Sequence, residues 1–271
     1  MNVQPESAGF QAKPLIEIQA VEHWFRDSRT GKLVHAVKRA DVLVQRGEFV
    51  SVVGPSGCGK TTLLNIVSGL ARPTKGAVRV AGKEVAGVQP SLIGYMFARD
   101  TLLPWRTALA NVEFAIERGF TGDRQSRARE MLSIVGLNGF ESAYPDQLSH
   151  GMRQRVALAR TLVRDPEILL MDEPFGALDA QTKLLMEEEF LRISERSKKT
   201  VLFVTHDLAE ALMLSDRVLV LSARPCSIKA EYRITFPRPR NAEALQANPK
   251  FIELFQQVWR DLRSENVMGT G

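Results

Sequence analysis

Residues 54–61 read GPSGCGKT and fit the spacing G-x-x-x-x-G-K-[ST], a pattern suited to holding the phosphates of a nucleotide. Gly54, Gly57 and Gly59 let backbone N–H groups converge on phosphate oxygens, with Pro55, Ser56 and Cys58 completing the loop. The positive end of a following helix adds to that pull. Lys60 is the side chain expected to reach the β- and γ-phosphates, Thr61 to offer its hydroxyl to Mg²⁺, and Thr62 to touch the α-phosphate. A glycine turn that merely capped a helix would not need the Lys-Thr pair. Cys58 reads as a small filler, because no general base stands beside it to make it a nucleophile.

Further along, ILLMDE ends an apolar run in Asp172 and Glu173. After a phosphate loop such a pair has a division of labour: Asp172 binds Mg²⁺ through its water shell, and Glu173 polarises the water that attacks the γ-phosphate. VTHD then places His206 at the end of another apolar run. A lone histidine is commonly structural. One at the same carboxyl edge of a sheet as the acidic pair is placed for a ligand instead, and could contact the γ-phosphate.

These residues need elements to carry them. EFVSVVG, residues 48–54, is a short β-rich run, and GKTTLLNIVSGL after it carries Leu63, Ile66, Val67 and Leu70 at helical spacing. The continuous apolar runs at 167–172, 200–205 and 217–222 suit strands covered on both faces, and so a parallel sheet. Between the last two, Asp207 with Glu210 three residues on predicts a capping box at the start of a crossover helix. DRQSRAREMLSIVGL instead puts Ala128, Met131, Leu132 and Val135 on one helical face, with Arg124, Arg127 and Arg129 solvated, which predicts a helical insertion in an α/β core. After a Pro-rich FPRPR, Phe251, Leu254, Phe255, Val258 and Leu262 predict an amphipathic helix. MFARDTLLPW, residues 96–105, is the oddity: Pro104 keeps it from being a plain helix, and its large apolar side chains either plug a core or meet a partner.

Composition narrows the classes. The chain has 271 residues, 44% of them hydrophobic, enough for a large core. Its two cysteines, Cys58 and Cys226, give no disulfide framework and fit a reducing compartment. No apolar run approaches the ~18 residues that span a bilayer, so any membrane role is peripheral. Residues 1–14 read as a flexible tail without the pattern of a signal peptide. The net charge of +5 fits a mildly basic surface, and without RNP, zinc-finger or basic heptad patterns no nucleic-acid partner is expected.

GPSGCGKTT, LSHGMRQRVALAR (148–160), LLMDEPFGALD (169–179) and VTHDLAEA, in this order, resemble the ATP-binding subunits of ABC transporters over roughly residues 15–230. LLPWRT, the Met-Arg-Gln-Arg of the second motif and FPRPR resemble the branch that imports nitrate, sulfonates, taurine and related small solutes. The fold this implies is an α/β P-loop NTPase core of the RecA-like kind, with an antiparallel β subdomain and an inserted α-helical signature subdomain at about 98–160. A C-terminal extension, 231–271, would follow.

The resemblance also implies a head-to-tail pair with a second ATPase subunit, identical or different, binding two ATPs between them. The signature residues Ser149, His150, Gly151 and Met152 would meet the partner's γ-phosphate, and Asp179 would be the D-loop aspartate bridging the sites. Phe25 lies where the family stacks an aromatic on adenine, with Trp24 as rival. Leu102, Leu103, Pro104 and Trp105 would seat a cytoplasmic helix of the transmembrane permease subunits. A periplasmic solute-binding protein would act indirectly, and the chain would sit peripherally on the cytoplasmic face of the bacterial inner membrane.

Two positions depart from the family pattern. His150 replaces the usual Gly of the signature, adding a β-carbon and a titratable ring where backbone approaches phosphate. Ala98 stands where the family has the Gln that reaches the metal and attacking water. They motivate an alternative, a regulatory nucleotide-binding subunit with little hydrolysis, which Glu173 and His206 argue against. A soluble ABC ATPase acting on DNA or ribosomes is a further class, disfavoured by the single motif set and LLPW.

Overall fold

A computed structural model describes residues 13–27, 29–116, 120–240 and 242–268. Residues 1–12 of the expected tail lie outside the described residues. Three of the predicted apolar runs form β3 (Phe49–Val53), β7 (Ile168–Asp172) and β8 (Thr200–Val204), every residue of which is buried. β9 (Arg217–Leu221) is buried except at its first residue. With β6 (Ile93–Met96) they form the parallel array β9-β3-β8-β7-β6. Burial on both faces is what such continuous apolar strands require.

On the other flank, β1 (Ile16–Arg26) pairs antiparallel with both β2 (Leu33–Val44) and β4 (Lys75–Val80), and β5 (Lys83–Glu84) closes that edge. β10 (Cys226–Arg233) joins the halves, parallel to β2 and antiparallel to β9. Among the described residues one ten-stranded sheet results, in the order β5-β4-β1-β2-β10-β9-β3-β8-β7-β6. The boundary expected at 230/231 therefore falls inside β10.

The helix after the glycine loop, α1 (Lys60–Ser68), buries Leu63, Ile66 and Val67 as expected. Leu70 does not follow them. It is 51% exposed, because Gly69 at φ +80° ends the helix, where a β-carbon would lie 2.4 Å from the Gly87 backbone.

The insertion comprises α2 (Ala108–Phe114), α3 (Arg124–Ile134) and α4 (His150–Leu162). Ala128, Met131, Leu132 and Val135 are buried in a core continuous with that of the main sheet. α5 (Ala180–Arg196) and α6 (Leu208–Leu214) cross back over the sheet. The predicted capping box of α6 is only half formed. Asp207 does cap, accepting from the Glu210 N–H at 3.2 Å, but the Glu210 carboxylate turns inward to the Thr205 hydroxyl. The Asp207 N–H donates to that same hydroxyl, at 2.9 Å.

α7 (Ala242–Gln246) and α8 (Pro249–Met268) pack on the domain, burying Phe251 and Val258 and covering Leu254, Phe255 and Leu262 in part. FPRPR explains how the extension is fastened. Arg238 donates to Glu195 at 2.7 Å, to Asp216 at 2.8 Å and to the Leu214 carbonyl at 2.8 Å. The Arg240 side chain, 1% exposed, donates to the carbonyls of Met213 and Ser215 at 2.9 and 2.6 Å and of Phe236 at 3.2 Å.

Candidate active site

The glycine loop joins the end of β3 to the start of α1, so its backbone faces the carboxyl edge of the parallel array. Gly57 and Gly59 take φ of +69° and +131°, which residues with a β-carbon rarely adopt. At Gly59 a β-carbon would also lie 2.9 Å from Cys226 Sγ and 3.0 Å from the Ala36 carbonyl oxygen. Lys60, 6% exposed, donates to the Gly54 and Pro55 carbonyls at 2.9 and 3.1 Å, which folds its ammonium over the loop. Cys58 is buried beneath the loop, and that burial pushes its thiol pKa up, as suits a packing residue rather than a nucleophile.

Asp172 is Cα-paired with Val204 across β7 and β8, so the two strands end together. That register brings Glu173 and His206 into contact: Glu173 Oε2 lies 3.2 Å from His206 Nδ1. Glu173 holds a left-handed backbone, φ +48°, while its N–H donates to the Val204 carbonyl at 2.9 Å. A non-glycine residue in that region costs of order 1–3 kcal/mol, and such strain concentrates at functional sites.

Asp172 is 4% exposed, with the Thr61 side chain beside it. Burial raises its pKa, with Thr61 and Lys60 pulling the other way. Two hard oxygen donors, Thr61 and Asp172, thus meet at one point beside the loop, a donor set that fits Mg²⁺.

A cleft of about 230 Å³ gathers Phe25, Ser56, Gly57, Lys60, Thr61, Thr62 and Glu173 with two residues the motifs did not indicate, Ala36 and Arg224. Arg224 stands three residues past the end of β9, so the carboxyl-edge rule applied to that strand would have found it. Of the two aromatic candidates, Phe25 lines the cleft and is 38% exposed. Trp24 stacks instead on His35, ring centroids 3.7 Å apart.

The signature residues do not line this cleft. Ser149 is the N-cap of α4 and accepts from the Met152 N–H at 3.2 Å; both Ser149 and His150 are exposed. His150 is the first residue of α4 and has no left-handed backbone, so its β-carbon brings no strain. A β-carbon at Gly151 would come within 3.1 Å of Leu178 Cδ2. Asp179 caps α5, accepting from the Thr182 N–H at 3.0 Å, and that bond holds its carboxyl below the usual range.

Ala98 is exposed just beyond β6. The stretch after it is clamped on both sides. Asp100 pairs with Arg153 of α4 at 2.9 Å, and Arg160 donates to the Asp100 and Thr101 carbonyls, both at 2.9 Å. Arg153 also donates to the Leu148 carbonyl, 2.7 Å away, next to the signature. From α2, the fully buried Asn111 accepts from the Leu103 N–H at 2.8 Å and donates to the carbonyls of Leu103, Arg106 and Thr107.

The four expected docking residues therefore separate. Leu102 packs against the helical core; Leu103 lines a groove of about 450 Å³ together with Tyr95, Phe97, Phe114 and Arg160; Pro104 and Trp105 are exposed outside it. Of the aromatic members of that groove, Phe97 belongs to the MFARDTLLPW stretch, whereas Tyr95 of β6 and Phe114 of α2 were missed because they lie outside it in sequence.

The profile of the ABC transporter family matches residues 37–176. An uncharacterised ABC transporter ATP-binding protein of Methanocaldococcus jannaschii is 49% identical over 237 residues, 87% of either chain. The nitrate import ATP-binding protein of Synechococcus elongatus is 43% identical over 81% of either chain. The taurine import ATP-binding protein of Rhizobium johnstonii is 41% identical over 89% of this chain and 94% of its own. Among solved structures, the dimeric post-hydrolysis state of an ATP-binding cassette bound to ADP and Pi superposes with a TM-score of 0.74 at 32% identity, covering 82% of this chain and all of that one. With a matching profile that reaches from β2 past Glu173, and relatives this similar over most of its length, the chain belongs to the ABC transporter family.

Proposed function

We propose that this chain is the ATP-hydrolysing subunit of an importer for a small solute of the nitrate, sulfonate and taurine kind. The relatives named for nitrate and taurine import support the solute class, and the Glu173–His206 contact beside the phosphate loop carries the hydrolytic reading. In this reading Phe25 stacks on adenine, residues 54–62 hold the phosphates, and Thr61 and Asp172 hold Mg²⁺. The ion, when bound, neutralises charge on the phosphate oxygens. Glu173 takes the proton of the attacking water, and His206 keeps the carboxylate oriented.

Ser149, His150, Gly151 and Met152, exposed at the start of α4, serve the nucleotide of a second ATPase subunit, with Asp179 between the sites. The cassette solved as a dimer supports that pairing. The groove around Leu103 receives a helix of the transmembrane permease subunits, with Trp105 at its margin. Among the described residues no helix is long and apolar enough to cross a membrane; in this reading the permease subunits hold the chain at the cytoplasmic face of the inner membrane.

Ala98 favours a second reading, a regulatory subunit with little hydrolysis. ATPase rates of the purified chain and of Glu173→Gln separate the two. A fall of about 10²-fold or more in the variant is expected if Glu173 is the base. Equal rates would replace hydrolysis with the regulatory role.

A further inference from the structure

Arg224 reaches the phosphate loop from the connection between β9 and β10. Its guanidinium donates from Nε at 3.0 Å and from Nη2 at 2.5 Å to a single acceptor, the Gly57 carbonyl oxygen. Two residues on, Cys226 is buried with its Sγ against Gly59, where a β-carbon would come within 2.9 Å. One short connection thus touches both glycines of the loop that have positive φ.

That connection has its own supports. The Ser222 N–H donates to the Ser227 carbonyl at 2.9 Å, and the Ser227 N–H returns to the Ser222 hydroxyl at 2.9 Å. Arg224 is therefore presented from a braced turn.

The chemistry of the contact follows from the peptide plane. The carbonyl of Gly57 and the N–H of Cys58 belong to one peptide unit and point in opposite directions, and that N–H donates to the Pro55 carbonyl at 3.2 Å, closing a turn at the head of the loop. A loop that binds phosphate works by turning N–H groups toward the anion, and a glycine at positive φ is the residue most free to flip the wrong way. Holding the carbonyl outward with two N–H groups of one rigid fork opposes that flip. The guanidinium also lines the cleft, so its charge adds to the field that draws an anion there.

We propose that Arg224 is a positioning residue for the nucleotide: by holding the Gly57 carbonyl it fixes that peptide, and with it the turn at the head of the loop, and so keeps the loop in its anion-binding form before ATP arrives. This rests on reading the cleft as an ATP site. Preorganisation of this kind acts on binding, and the chemistry at Glu173 is left alone. Lysine would keep the charge but lose the two-pronged hold.

The test is MgATP affinity by calorimetry, with KM and kcat, for the full chain carrying Arg224→Gln or Arg224→Lys. The expected result is a Kd and KM raised about fivefold or more in Arg224→Gln, kcat within about twofold, and Arg224→Lys in between. Should Arg224→Gln fail to fold, Arg224→Lys alone must show the rise in Kd. Unchanged Kd in a folded variant, or a loss confined to kcat, overturns the proposal and leaves the ATP site standing. If the wild-type chain binds no MgATP, the reading of the cleft fails and Arg224 fails with it.

Discussion

Replacing Glu210 by Gln should make the protein more stable at alkaline pH and remove much of its dependence on pH. Glu210 on α6 and Glu187 on α5 have side chains only 4% and 6% exposed. They share one cation: Lys183 Nζ lies 3.7 Å from Glu210 Oε1, 3.6 Å from Glu187 Oε1 and 2.7 Å from Asp207 Oδ2. Three carboxylates against one ammonium in a buried place cannot all ionise cheaply. Burial is the chief cause that pushes Glu210 up to about 8, and burial raises Glu187 as well.

The sign follows from proton binding. Near neutral pH the native state keeps a proton that the unfolded chain, with its carboxyls titrating in the ordinary range, has already lost. Stability therefore falls as pH rises from about 5 and levels off above about 8. One proton gives at most about 1.4 kcal/mol per pH unit, or about 2–3 kcal/mol between pH 6 and pH 8. The amide of Glu210→Gln stays neutral and can still accept from Thr205. Urea unfolding followed by circular dichroism from pH 5.5 to 8.5 reads the difference: a flatter profile in the variant, and greater stability at pH 8. Equal slopes for the two proteins would refute the shared-proton account.

Two further outcomes can be checked directly. Ala98→Gln should raise the basal ATPase rate about tenfold or more, the worth of one hydrogen bond to a charged centre made in the transition state; an unchanged rate would mean that this position no longer serves the chemistry. Arg240→Ala should lower stability by about 2–4 kcal/mol in denaturant unfolding, because it leaves the buried Met213 and Ser215 carbonyls without their donor; a loss below about 0.5 kcal/mol would show that the extension is held by apolar packing alone.

The parts legible in the sequence were those with a strong local signal. β3, β7, β8 and β9 announced themselves as unbroken apolar runs because both their faces are covered. The placement of the glycine loop, Asp172, Glu173 and His206 at one edge of the sheet followed from motif and strand end. The antiparallel flank entered only through the family resemblance, since β1 is broken by register shifts near Val21 and His23 that disrupt its alternation. β6 and β10 had no run long enough to stand out, and β6 contains Gly94. What stayed hidden was long-range: the contact of Arg224 with Gly57, the fastening of the extension by Arg238 and Arg240, and the inward turn of Glu210 toward Thr205. A capping pattern says which residue can cap. It does not say that a buried hydroxyl offers the glutamate a better partner.

The clamp on residues 100–107 bears on how an importer of this kind would keep time. A segment gripped by Arg153 and Arg160 on one side and Asn111 on the other has little slack with which to absorb a push. Displacement of a helix seated in the neighbouring groove would be handed on to α4, whose N-cap is Ser149. In the proposed pair that makes the partner's nucleotide, rather than the chain's own, the first to register what the permease does. Each subunit would then act as the other's clock, and on the proposed reading Ala98 would be the place where the direct line to its own ATP is missing.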